Sequence, residues 1–228
     1  MKTPMIERPS PNHDARPPDI AVDLLLLHYT GMRSGGEALD RLCDPQARVS
    51  AHYLIEEDGT LYRLVNETRR AWHAGVSAWA GERDINGCSI GIELVNPGHE
   101  FGYRPFPAAQ MAVLQNLCLE ILARHPIPSA RVLGHADVAP ARKQDPGELF
   151  DWPALAAVGI GLYPPDEELA ATDEPASAAL ARFGYDVEGA GFDAAATAFQ
   201  RHWRPARIDG VMDEDCRARL AWLLEPSP

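Results

Sequence analysis

The chain has 228 residues, of which 46% are hydrophobic and 24% charged, with a formal net charge of −12. This is the balance of an ordinary globular protein with room for one full core and a smaller second unit. The acidic balance, with no lysine or arginine run, argues against a nucleic-acid backbone or an anionic membrane surface as partner.

Residues 1–19 are rich in proline, mixed in charge and without the apolar core of an export signal, so they read as an extended arm. No stretch approaches the ~20 apolar residues of a membrane span. Residues 23–29 (DLLLLHY) form a continuous apolar run of strand length, the pattern of a strand buried on both faces. A short helix follows over 34–43. Residues 50–65 (SAHYLIEEDGTLYRLV) are two alternating runs joined by Asp58-Gly59, the signal of a tight hairpin. Residues 88–95 (CSIGIELV) predict another strand, interrupted by Gly91. The clearest helix spans 107–125, with Pro107 in its first turn and Met111, Leu114, Leu117, Cys118, Ile121 and Leu122 at helical spacing. Val132 and Leu133 make a short strand, and a helix over 152–158 closes a first domain of residues 20–160. The alternation predicts an α/β fold, a central mixed β-sheet flanked by helices.

Residues 161–175 have the glycine, proline and acid content of a linker. Beyond them, residues 176–228 carry three helical patterns: 176–183, a second with Phe192, Ala195, Ala196, Phe199 and Trp203, and a third with Cys216, Leu220, Leu223 and Leu224 behind Asp213 as N-cap. This small three-helix unit is expected to lean on the first domain.

The cysteines (Cys43, Cys88, Cys118 and Cys216) form no CxxC pair, and neither a disulfide framework nor a cysteine metal site is expected. Ionisable groups crowd instead into GHADVAPARKQDPG, residues 134–147. His28 ends a central strand, His135 follows the strand at Val132-Leu133, and Asp145 stands ten residues on. Two imidazoles and a carboxylate around an open position would make a catalytic zinc site. On spacing alone, a hydrogen-bonded core histidine and a turn residue before Pro146 explain them equally well. Glu93 weighs on the choice, because a carboxylate on a buried strand needs a partner or a reason. It shares its side of the strand with Gly91 and Val95. Lys143 lies two residues before Asp145, so in an extended segment both point the same way, and a lysine there suits a developing oxyanion.

LLLLHYT, SAHYLIEEDG, AWHAGVSAW, NGCSIGIELVNPG and GHADVAPARKQDPG occur in that order, over residues 20–160. Together they resemble the zinc-dependent N-acetylmuramoyl-L-alanine amidases of the AmiD and AmpD type, whose fold is shared with peptidoglycan recognition proteins. The resemblance implies Zn2+ held by His28, His135 and Asp145, Glu93 as general base and Lys143 as oxyanion partner. The implied substrate is a muropeptide or peptidoglycan fragment, cut at the amide between N-acetylmuramic acid, or its 1,6-anhydro form, and L-alanine. FGYDV, AATAFQRHW and IDGVMDEDCRARL resemble a small three-helix peptidoglycan-binding module, with Cys216 where that module usually carries threonine.

Trp72, His73 and Asn86 are candidates for lining the cleft, and His52 is placed near the site. His13, His99, His125 and His202 are expected at the surface or at helix ends, and Asp137 and Arg142 as framework or rim. No serine or cysteine has a triad context. Two rivals stand beside the amidase: a peptidoglycan-sensing module that binds without cutting, and a zinc peptidase acting on other peptides. The expected enzyme is a monomer with no nucleic-acid or membrane partner, cytoplasmic, with a periplasmic location as the alternative.

Overall fold

The computed structural model describes residues 4–167 and 169–225. The chain enters through two short strands, β1 (Met5–Glu7) and β2 (His13–Ala15), then runs through β3 (Leu24–Tyr29) and helix α1 (Gly35–Cys43). The strands β4 (Tyr53–Ile55), β5 (Leu61–Arg63) and β6 (Arg69–Ala71) follow. One helical turn, α2 (Ile85–Cys88), leads straight into β7 (Ser89–Leu94), and another, α3 (Gly98–Phe101), precedes the long helix α4 (Ala108–Arg124). After β8 (Val132–Gly134) come α5 (His135–Val138) and α6 (Trp152–Ala156). The C-terminal part is helical: α7 (Ala176–Phe183), α8 (Val187–Ala190), α9 (Phe192–Trp203) and α10 (Glu214–Leu224).

Six strands form one mixed sheet in the order β1-β5-β4-β7-β3-β8. β3 is the last strand but one, parallel to β7 on one side and to the edge strand β8 on the other, and β4 is parallel to β7 but antiparallel to β5. The run Leu24 to Leu27 is wholly buried because each face of β3 has its own cover. Leu25 and Leu27 pack with Leu114, Leu117, Cys118 and Ile121 of α4, the positions whose helical spacing predicts that helix. Burying each of these leucines and isoleucines contributes roughly 1.5–3 kcal/mol relative to exposure. Leu24 and Leu26 face the other way, with Leu133, and meet Leu180, Phe199, Trp203 and Leu220 of the C-terminal helices. Residues 176–225 therefore share one apolar core with the sheet. Some fifty residues cannot bury enough surface alone, so their helices use the sheet's second face.

The hairpin forms as the Asp58-Gly59 signal predicts, with Leu54 opposite Tyr62 and Gly59 at φ 90°. The proline-rich arm is extended but stitched to the domain. β1 adds to β5, β2 pairs with β6, and the Arg16 guanidinium donates to the carbonyls of Glu67, Asn86, Gly87 and Ser89.

His202 stands at a helix end, in the last turn of α9, as one of its two expected placements has it, but it is not at the surface. It is 4% exposed, its ring stacked between Trp152 and Trp203, and its Nδ1 lies 2.7 Å from Asp137 Oδ2. The pattern of α9 shows which residues share a stripe, but not that a second element docks over the histidine. Asp137 also accepts from Tyr185 Oη at 2.6 Å and from the Gly134 amide at 2.8 Å, so the C-terminal helices hold α5 in place.

Candidate metal centre

Parallel pairing decides which side chains meet. Leu24, Leu26 and His28 alternate onto one face of β3, and their register partners on β7 are Ser89, Gly91 and Glu93. On the other flank Leu27 pairs with Gly134, so His135, the first residue of α5, emerges beside His28. The parallel strands exit at one edge of the sheet, where such folds place their chemistry. Asp145 returns on the following loop, tied back by its carbonyl, which accepts from the Ala136 amide at 2.9 Å. His28, His135 and Asp145 are all buried. Their donor atoms form a nearly equilateral triangle: Nδ1 to Nδ1 is 3.0 Å, and each Nδ1 is 3.1 Å from Asp145 Oδ2.

Hydrogen placement shows what this triangle lacks. His135 Nε2 lies 2.9 Å from the Ala74 carbonyl, which can only accept, so Nε2 carries the hydrogen and Nδ1 of the neutral ring a lone pair. On the other side, Ser89 Oγ must donate to the Ile85 carbonyl, 2.5 Å away. Ser89 Oγ then accepts from His73 Nε2 at 3.2 Å, which leaves His73 Nδ1 as a lone pair facing His28 Nε2 at 3.0 Å. His28 Nε2 is therefore protonated and its Nδ1 is a second lone pair. Two lone pairs and a carboxylate oxygen converge with no hydrogen between them. Such a set needs a cation, and two imidazoles with one carboxylate suit Zn2+. Ligand atoms about 2.1 Å from a tetrahedral ion stand roughly 3.4 Å apart, a few tenths of an ångström wider than the observed triangle.

The electrostatics agree. Burial, then the neighbouring His135, lowers the His28 pKa to about 4, so the ring is neutral. For Asp145 burial alone would raise the pKa, but His135 and His28 override it and hold the carboxyl well below the usual range. Glu93 goes the other way: burial, then the Asp145 charge, pushes it well above the carboxylate range, while Lys143 opposes. Glu93 Oε2 is sealed from solvent and has no hydrogen-bond partner among the described residues.

A cleft of about 440 Å³ opens over these groups, lined among others by His28, His73, Glu93, His135, Lys143 and Asp145. Another hollow, of about 540 Å³, shares no residue with it. Its charges are already paired within the protein, Glu67 taking Tyr53, Arg124 and His125, so it holds no comparable set of free acceptors.

The expected lining residues divide. His73 reaches the cleft, though its bonds run to His28 and Ser89 behind it. Its ring fills the space left by Gly91, where a Cβ would stand 2.4 Å from His73 Nδ1. Asn86 lies under the site and does not line it: its Oδ1 accepts from the amides of His73 and Ala74. Trp72 is partly buried, with the Arg48 guanidinium 5.9 Å from its ring centroid, and is not among the cleft residues. His52 is fully buried below them, taking the Gly91 amide on Nδ1 and donating from Nε2 to the Arg69 carbonyl. It alternates towards the correct face of its strand, but His73 lies between it and His28, 5.6 Å away between ring centres. Arg142 is rim, donating to the carbonyls of Ala74 and Val76.

His99 is exposed, as expected, and also lines the cleft, its ring stacked 4.3 Å from that of Tyr103 and bonded to Tyr29 and Glu148. No local periodicity marks it, since α3, which carries it, is a single helical turn too short to show one. Arg41 of α1 also lines the cleft and could not be singled out from a helix pattern that makes it an ordinary exposed residue.

The family model of the N-acetylmuramoyl-L-alanine amidases (Amidase_2) matches residues 18–148. The chain belongs to this amidase family. Among its relatives, the N-acetylmuramoyl-L-alanine amidase AmiD of Escherichia coli K12 is 37% identical over 231 residues, covering 90% of this chain and 83% of the relative. The 1,6-anhydro-N-acetylmuramyl-L-alanine amidase AmpD of Haemophilus influenzae is 40% identical over 161 residues, 63% of this chain and 85% of its own length. A solved structure of E. coli AmiD with the substrate anhydro-N-acetylmuramic acid-L-Ala-D-gamma-Glu-L-Lys superposes with a TM-score of 0.78, at 36% identity, covering 92% of this chain and 90% of that one. The likeness to AmiD thus extends past the amidase core into the helical part.

Proposed function

We propose that this amidase uses Zn2+ to hydrolyse the amide joining the lactyl group of N-acetylmuramic acid, or its 1,6-anhydro form, to L-alanine of the stem peptide. The observation that carries the proposal is the convergence of His28 Nδ1, His135 Nδ1 and Asp145 Oδ2 beside the unpartnered Glu93 Oε2. Those three atoms would hold the ion, which when bound lowers the pKa of a water towards ~7 and polarises the scissile carbonyl. Glu93, with its raised basicity, takes the proton of the attacking water and returns it to the departing alanine nitrogen. Lys143 makes no ion pair among the described residues, so its ammonium is free to face the oxyanion that develops as the carbonyl is attacked. Two neutral imidazoles leave the centre cationic, which favours that charge. The C-terminal helices enter as scaffold, through the Asp137 contacts that hold α5.

The substrate assignment rests on the family and on the muropeptides named for its relatives. Mass spectrometry of purified muropeptides, before and after incubation with zinc-loaded protein, tests it. Release of intact stem peptides from the muramic acid is the expected result. Unchanged muropeptides would overturn the reading, and equal cleavage of ordinary peptides would make the protein a zinc peptidase. All four cysteines are free thiols, which is consistent with a reducing compartment and supports the reading of a cytoplasmic enzyme acting on released turnover fragments. Fractionation of the native protein checks this, and recovery from the periplasm would overturn it.

A further inference from the structure

The two histidines of the metal centre are held from behind in different ways. His135 leans directly on a backbone carbonyl, that of Ala74. His28 leans on a side chain, His73, whose own orientation depends on Ser89, which ends on the Ile85 carbonyl. We infer that His73 is a positioning residue for the metal centre, the middle link of a one-way hydrogen-bond chain, His28 to His73 to Ser89 to Ile85, that fixes the tautomer and ring plane of His28 and so makes its Nδ1 a metal donor. This rests on the metal reading above.

Three features around His73 serve this role. Gly91 leaves the hollow in which the ring sits, so the interruption of the β7 pattern has a purpose: any side chain there would collide with the ring. Asn86 fixes the backbone, its Oδ1 taking the amides of both His73 and Ala74. One short segment thereby sets both supports, the His73 ring for His28 and the Ala74 carbonyl for His135. The edge-on contact of the His28 and His73 rings, 5.1 Å between centres and 88° between planes, aims His73 Nδ1 along the Nε2–H bond of His28. His73 and Ala74, with Asn86 and Ser89, thus form the layer behind the metal centre, the His73 ring also bordering the cleft.

The test measures zinc affinity, by competition with a chromogenic chelator, on the full chain stripped of metal. Removing a second-layer partner typically weakens metal binding about 10–100-fold, and that loss is expected for His73→Leu, with Ser89→Ala between it and the parent. His73→Asn, whose Oδ1 can stand where Nδ1 stood and accept the same hydrogen, should restore affinity to within roughly fivefold of the parent, on the same scale. The visible spectrum of the cobalt-substituted protein gives a second readout, altered in His73→Leu and recovered in His73→Asn. Thermal unfolding of the metal-free variants separates misfolding from misorientation. If His73→Leu does not fold, Ser89→Ala and Gly91→Ala, which pushes the ring aside, carry the comparison. Zinc affinity in His73→Leu within about twofold of the parent, or equal losses in the leucine and asparagine variants, would overturn the assignment. A parent protein that takes up no zinc would instead overturn the metal reading, and this one with it.

Discussion

Two aspartates eight positions apart in the same segment, Asp137 and Asp145, are both buried, yet their surroundings are opposite. Asp137 is surrounded by donors: the Gly134 amide, the Tyr185 hydroxyl and the His202 ring. Asp145 Oδ2 faces two ring nitrogens whose hydrogens are committed elsewhere. A buried carboxylate satisfied by protein donors is architecture. One that meets only lone pairs needs a cation, and the cost of burying it otherwise makes the assignment. Burial and charge alone cannot tell the two apart; counting hydrogens does.

The largest effect should come from Asp145→Ala. Zinc content is expected to fall from about one ion per chain to near zero, and turnover with it, by elemental analysis and muropeptide assay. Full zinc loading in this variant would erase the distinction between the aspartates. Next is Glu93→Gln, which should keep its zinc while turnover drops roughly 100- to 10,000-fold, the usual cost of losing a general base. Normal turnover would move the base to another residue.

Asp137→Ala should do the reverse of Asp145→Ala. It strips a buried imidazole, a hydroxyl and an amide of their acceptor, so a loss of about 3–5 kcal/mol of folding stability is expected with zinc stoichiometry unchanged. Denaturant unfolding and metal analysis of one preparation decide it. Loss of zinc without loss of stability would show that Asp137 belongs to the metal set after all.

The last comparison is made by pH and needs no substitution. In the metal-free protein His28 titrates at about 4 and His52 at about 3, each lowered first by burial. Both would titrate near 6.5 unfolded, so between pH ~6.5 and ~4 the unfolded chain holds more protons, and stability must fall as pH falls through that window. Asp145, with its depressed pKa, is ionised in both states there and adds its own loss only below about pH 4. Melting curves of the metal-free protein from pH 7.5 to 4 should show the decline, which bound zinc should reduce by holding His28 unprotonated. A flat profile would contradict the buried neutral histidines.

What the sequence alone determined follows from local pattern. The run of four leucines in β3, the α4 stripe and the Asp-Gly turn each state their element, because burial on one or two faces has a period that can be read along the chain. The polar exceptions to those patterns, His28 and Glu93, are legible for the same reason, whereas His135 and Asp145 stand out only through the crowding of ionisable groups in 134–147 and the family resemblance of that segment. The tertiary structure alone decided what stands behind each of them. Whether His52 meets solvent or a strand amide, whether His202 is exposed or stacked between tryptophans, and whether His73 touches substrate or a ligand depend on elements tens of residues away. Parallel register sets the proposed metal site: pairing His28 with Glu93, and Leu27 with Gly134, brings its residues together. The layer behind it is set by docking, since hydrogen-bond partners contributed by separate segments leave no periodic trace in either one.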